Sequence, residues 1–182
     1  EIKEHLKLHL KTHMEHRVHC AMLLSDLAYC YCKMGLDGHK YKMEEMSIHA
    51  FKEMFKMKRY YYAIFEESPK LAIQYEFKDQ VKSIDDIHNK LYESAVKSKE
   101  SLIEILKLVD SSHEYAEMKI LFDLYAEYEK YECMMNSKMK RSQMFGYDVA
   151  YILNHDDKLE QEYRECMKHK KRWKMEQGEY SS

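Results

Sequence analysis

Apolar residues recur every three or four positions along most of the chain, the period of a helix with one buried face. Leu6, Leu10, Met14, Val18, Ala21, Leu24, Ala28 and Tyr31 form one such stripe and predict a first helix from about Ile2 to Lys33. Gly35 and Gly38 end it, which predicts a short connection and an antiparallel second helix. Met43, Met46, Ala50, Met54, Met57, Tyr61 and Ile64 carry the second helix to Phe65, and Pro69 closes the pattern. Residues 66–82 have no helical period, and Leu71–Phe77 reads as extended. A stretched segment of that length reaches ~55 Å, whereas a helix of about thirty residues is ~45 Å long. The connection can therefore run the length of the bundle and leave the second and third helices parallel.

Ser83 opens the third helix, with Ile84, Ile87, Leu91, Ala95, Ser98, Leu102, Ile105 and Val109 on one face. Ser111 and Glu114 form a capping-box signature for a fourth. Its stripe is Met118, Leu121, Tyr125, Tyr128, Tyr131, Met135 and Met139, and Gly146 stops it. A short fifth helix begins near Asp148 and includes Val149, Ile152 and Leu153; from Asp156 the chain is charged and helix-prone. The expected architecture is all-α: a four-helix bundle with one long crossover and a fifth helix (residues 1–155), then a charged C-terminal extension (residues 156–182).

Composition narrows the function classes. A length of 182 residues suits one domain, and four Gly with one Pro are too few for an all-β fold. No apolar run approaches membrane-spanning length, so no membrane partner is expected. A net charge of -2 argues against a globally basic nucleic-acid binder. The five cysteines (Cys20, Cys30, Cys32, Cys133, Cys166) lack zinc-ligand spacing, and reduced thiols in a cytoplasmic protein are the simpler expectation. No segment has a signal-peptide layout, although the chain starts at Glu1 rather than Met, which leaves a leader open. Many of the methionines and tyrosines sit in the apolar stripes, so core packing explains them better than copper or radical chemistry. No nucleophile–base motif or Gly-rich phosphate loop occurs.

Two short-loop helix pairs joined by one crossover is the ferritin-like bundle topology. The sequence resembles ferritin subunits along a gap-free register from Glu15 to Tyr125. Gly35-Leu-Asp-Gly38 is similar to the turn between the first two helices, and Ser101-Leu-Ile-Glu-Ile-Leu-Lys-Leu108 to the Ser-Leu-Leu-Glu-Leu run of the third. Tyr125 falls on a tyrosine of the fourth helix, and Gly146 precedes the fifth. The resemblance implies iron storage in a cage of 24 ferritin-like subunits, homo- or hetero-oligomeric.

It also implies a di-iron centre built from a Glu on the first helix, Glu-x-x-His on the second, a Glu on the third and a Gln on the fourth. Hard iron ions take such oxygen and imidazole ligands. This sequence keeps Glu15 but has Ala50 for the bridging Glu, Glu53 for the His, Ala95 for the third-helix carboxylate and Glu129 near the Gln. Met22 replaces the tyrosine beside the site. Ferroxidase activity is therefore expected to be lost. Glu15 with His19, and His49 with Glu53, lie four apart on helix faces and could hold one metal ion with Glu129; the simpler expectation is buried ion pairs. Glu44 and Glu45 match cavity-facing carboxylates that nucleate mineral in light chains, or form an ordinary solvated face.

His5, His9, His13 and His16 fall on one stripe, expected to be a solvated or subunit-facing surface rather than a metal site. At the three-fold channel, normally acidic, the register puts Lys119 and Phe122. Lys168-His-Lys-Lys-Arg-Trp-Lys174 could contact nucleic acid, but a solvated helix end opposite Glu160, Glu162 and Glu165 is the expectation. Two functions remain in view: a light-chain-like iron-storage subunit, and a structural or chaperone-like relative that stores no iron, as in artemin, a ferritin relative with a C-terminal extension.

Overall fold

The structure, a computed structural model, describes residues 1–73, 84–112 and 149–176. They form four helices: α1 (Ile2–Lys33), α2 (Asp37–Phe65), α3 (Ile84–Ser112) and α4 (Val149–Glu176). The first three match the predicted spans closely. Most of the predicted fourth helix and the part of the crossover after residue 73 lie outside the described residues.

The turn between α1 and α2 closes through paired backbone bonds. Leu36 N–H donates to the Tyr31 carbonyl (2.9 Å) and Gly35 N–H to the Cys32 carbonyl (3.1 Å), the double closure of a Schellman motif. That geometry needs a left-handed residue, and Gly35 supplies it at φ 73°. The connection is too short for anything but an antiparallel return. Glu66 stops α2 in the same left-handed region, at φ 53°.

Cross-helix contacts fix the directions. Ser47 Oγ donates to the Ala21 carbonyl (2.7 Å), while Glu53 lies on Arg17, so α2 ascends as α1 descends. Tyr31 meets His88, while Arg17 meets Ser98, so α3 is also antiparallel to α1. Hence α2 and α3 run parallel, as the crossover expectation required.

The stripes read from sequence are the core. Leu6, Leu10, Met14 and Val18 pack with Met54, Met57, Tyr61, Leu102, Ile105 and Val109 at one end; Leu24, Ala28, Met43, Ile87 and Leu91 fill the other. Each fully buried large aliphatic side chain contributes roughly 1.5–3 kcal/mol. Tyr60, Leu23, Leu27, Cys20 and Cys30, absent from those stripes, are buried too.

The segment expected to be a short helix followed by a tail is one helix of 28 residues, continuous through Asp156. Its second and third turns, at Asp156 and Glu160, lie against the start of α2. A Cβ on Gly38 would run into the Asp156 carbonyl and come within 2.8 Å of the Glu160 nitrogen, so only glycine lets the two backbones lie this close. No described helix is long and apolar enough to cross a membrane.

Candidate functional site

Polar side chains penetrate the apolar bundle along one seam midway down α1. Arg17 is 5% exposed and Glu53 3%. Their approach, Arg17 Nε to Glu53 Oε2 at 2.9 Å, is an ion pair. Arg17 Nη1 also donates to Ser98 Oγ on α3 (3.3 Å), so one guanidinium joins three helices. The other Glu53 oxygen lies 3.4 Å from Nε2 of His49, one turn earlier on α2 and exposed. Cys20 is buried beside Arg17 and Ser94; burial pushes its thiol pKa up, with Arg17 opposing.

His13, one turn before Arg17, is wholly buried. Burial foremost, then the Arg17 charge, lowers its pKa from 6.5 to about 3, against a hydrogen bond with the Ser98 backbone. Its ring is therefore neutral near pH 7. The four-histidine stripe is thus not one surface: His5 is exposed, His9 and His16 are half-buried, and His13 belongs to the core.

The residues singled out from sequence part company here. His49 and Glu53 come together, but with Arg17 rather than with Glu15 or His19. Glu15 Oε1 accepts the Ala72 backbone N–H (2.8 Å), pinning the start of the crossover. His19 is exposed, and its pKa is lowered by partial burial and by Lys90 and Lys97. Glu44 and Glu45 are exposed, Glu45 with its carboxylate 3.9 Å from Lys42. Glu129, Lys119 and Phe122 lie outside the described residues.

The described residues of the seam do not suit iron. Bringing two like unit charges within ~4 Å costs roughly 4 kcal/mol in a medium of effective dielectric about 20, doubled for a divalent ion. Arg17 never gives up its proton, and Ala50 and Ala95 offer no ligand atoms. Arg17 could have been found from sequence: it lies seven residues from both Leu10 and Leu24, at the spacing of one helix face.

A second polar cluster joins α2 to α4. Asp156 Oδ1 accepts the His39 backbone N–H (2.7 Å) and lies 2.6 Å from His39 Nδ1. Leu36, at the α2 N-cap, has no side-chain oxygen, so a carboxylate from another helix does the capping. Burial alone would raise the Asp156 pKa, but the hydrogen bonds from the His39 side chain and from the His39 and Gly38 backbones outweigh it and hold it below 3.8. Tyr31 and His155 contact the His39 ring, and Tyr41 stacks on Tyr163 with centroids 4.0 Å apart. Carboxylate oxygens of Asp156, Asp157 and Glu160 lie within 4.8 Å of one another, but Asp156 is already engaged as the cap.

No protein-family model matches the sequence, and no curated protein does. Solved structures do. An open pore ferritin from the hyperthermophilic archaeon Archaeoglobus fulgidus superposes with a TM-score of 0.73 at 19% identity, covering 87% of this chain and 98% of that one. The fold is that of the ferritins. An engineered closed form of the same archaeal ferritin gives 0.71 at 19% identity, covering 86% and 94%. An iron-soaked variant of PmFTN gives 0.71 at 12% identity, covering 84% and 98%. At such identities the likeness extends to the ferritin fold and leaves the chemistry to this chain's own residues.

Proposed function

We propose that the protein is a ferritin-like cage subunit that supports iron storage or sequestration as light chains do, without a working ferroxidase centre. The Arg17–Glu53 pair carries this reading. A permanently charged guanidinium satisfies, inside the bundle, a carboxylate that a metal would otherwise need, and Ala50 and Ala95 remove two further ligands. Glu44 and Glu45, exposed on α2, are the carboxylates available to a mineral.

The test is aerobic Fe(II) oxidation and iron content measured on the same purified particles. The expected result is a large hollow assembly with oxidation no faster than free Fe(II) in buffer, yet able to retain iron offered with an active heavy chain. Oxidation at heavy-chain speed would overturn the lost-centre reading, and a monodisperse monomer or dimer in sedimentation would overturn the cage. A second reading, a structural or chaperone-like relative that stores no iron, draws support from α4, which is far longer than a short closing helix. Particles that assemble but retain no iron with an active co-subunit would favour it.

A further inference from the structure

Charge along α2 is nearly balanced in its first half and unbalanced in its second. In the first half Asp37, Glu44 and Glu45 are offset by Lys40 and Lys42, and Lys42 lies 3.9 Å from the Glu45 carboxylate. From Met46 to Phe65 the cations are Lys52, Lys56, Lys58 and Arg59, and the one acid, Glu53, is buried on Arg17. Just past the helix, Glu67 is held by Lys7 and Tyr61. The four cations, with Phe55 and Tyr62, line an open groove of about 640 Å³ that ends against Ser68 and Pro69. Among the described residues none of the four is held in an ion pair.

Lys52, Lys56 and Arg59 follow at intervals of four and three residues, so they share one stripe over two turns, ~10.5 Å along the axis. Their long side chains can converge on one small group. Lys58 reaches the same groove from the other side of the two rings. Like charges this close repel one another, and a shared anion relieves that repulsion. We propose that the groove binds a phosphate group, as the free inorganic ion or as a small monoester, through Lys52, Lys56, Lys58 and Arg59.

The chemistry of the cations selects that ligand. A phosphate carries several acceptor oxygens on one centre, which suits ammonium groups arriving from two sides and a planar guanidinium that bonds two oxygens at once. A lone carboxylate offers one charge and two oxygens. The site goes beyond the cage reading and does not require it. In an assembled particle the groove shares the inward face with Glu44 and Glu45, where a small oxyanion has room and a polymer or membrane has none. Phosphate oxygens are hard ligands that suit iron. An occupied groove would therefore set phosphate beside the carboxylates offered to a mineral.

Equilibrium dialysis of radiolabelled orthophosphate against the iron-free full chain tests the proposal. Binding should saturate and should weaken as salt rises. Lys52→Gln with Arg59→Gln, both exposed positions, should weaken it at least ~5-fold for each charge removed. Lys40→Gln with Lys42→Gln removes as many charges from the same helix. Those positions lie ~15 Å or more along the axis from Lys52, beyond a Debye length of about 10 Å, so binding should hardly change. Circular dichroism checks the folding of each variant.

Adenosine monophosphate is the second probe. Affinity equal to that of orthophosphate supports the free ion as the ligand. Tighter binding that Phe55→Ala with Tyr62→Ala returns to the orthophosphate level supports a ring-bearing ester. A wild-type chain that binds neither probe overturns the proposal. So does binding that survives the Lys52 and Arg59 changes, or that is lost instead in Lys40→Gln with Lys42→Gln or in Lys168→Gln with Lys170→Gln and Lys171→Gln. Sedimentation of the same samples reads assembly separately, so failure here is distinguishable from failure of the cage reading.

Discussion

Two buried carboxylates hold this molecule together in different ways, and the contrast explains most of its chemistry. Glu53 sits mid-bundle against Arg17; Asp156 sits at the bundle's end against His39 and the first amides of α2. The first is paired with a charge that never titrates, in a seam walled by apolar side chains. The second is fed by backbone donors and an imidazole, at a place where two helices meet. Burial of a charge is costly in both, and what differs is how it is relieved. The mid-bundle pair places a fixed positive charge in the seam, and that charge opposes a second cation beside it. The end pair is a joint: it caps the start of α2 with a side chain of α4.

The largest effect should come from leaving one charge of the mid-bundle pair alone. Glu53→Ala strands the Arg17 guanidinium in the core, and losing one partner of a buried pair costs about 3–5 kcal/mol. Arg17→Met combined with Glu53→Leu removes both charges and should lie near the wild type, or up to ~4 kcal/mol above it. Denaturant midpoints of the single and double variants measure this. A single variant as stable as the wild type would mean that water reaches the pair and the seam is not sealed.

Next comes acid, where His13 dominates the same seam. Its folded pKa, about 3, lies below the usual 6.5, so between those values the unfolded chain binds a proton that the native chain refuses. Stability therefore falls as the pH falls from 6.5 toward 3. At ~1.4 kcal/mol per pH unit, the loss is on the order of 4 kcal/mol. A His13→Leu variant should show a correspondingly flatter pH–stability curve over that window. Matching curves would place His13 in contact with solvent.

The comparison also separates what could be read from sequence from what could not. Periodicity marked Leu6, Leu10, Met14, Met57, Leu91 and Leu102 because apolar spacing reports directly on burial. It gave the crossover too, since a segment without helical period and long enough to span the bundle has few alternatives. It passed over Arg17 and placed His13 on a solvated or subunit-facing stripe, because polar side chains in an apolar face look like solvated neighbours unless their register is counted. Glu53 was legible as a buried acid and as a candidate metal ligand, and only the three-dimensional approach of Arg17 decides between those roles. Asp156 and His39 were illegible for another reason. They are 117 residues apart, and the capping is done by a side chain from a different helix, which no local motif records.

The smallest effect belongs to the joint, and it is local. Asp156→Asn keeps the volume and one acceptor oxygen but removes the charge. Losing a helix N-cap costs ~0.5–2 kcal/mol, so global stability should drop by no more than that. Hydrogen exchange should locate the change: amides of Gly38, His39 and Lys40 should open faster, and so should the first turns of α4, while Arg17 and Glu53 keep their protection. Gly38→Ala approaches the joint from the other side, because its Cβ would meet the Asp156 carbonyl and push α4 away without altering any charge. Acid supplies an independent check. The Asp156 pKa is held below 3.8, so the stability it contributes is present above that value and is lost as the pH falls through its lower folded value. The joint should therefore loosen only at the bottom of the range in which His13 has already weakened the centre. Exchange at α4 rising in step with the centre from pH 6.5 would show that the two carboxylates belong to one cooperative unit, and the division drawn between them would fail.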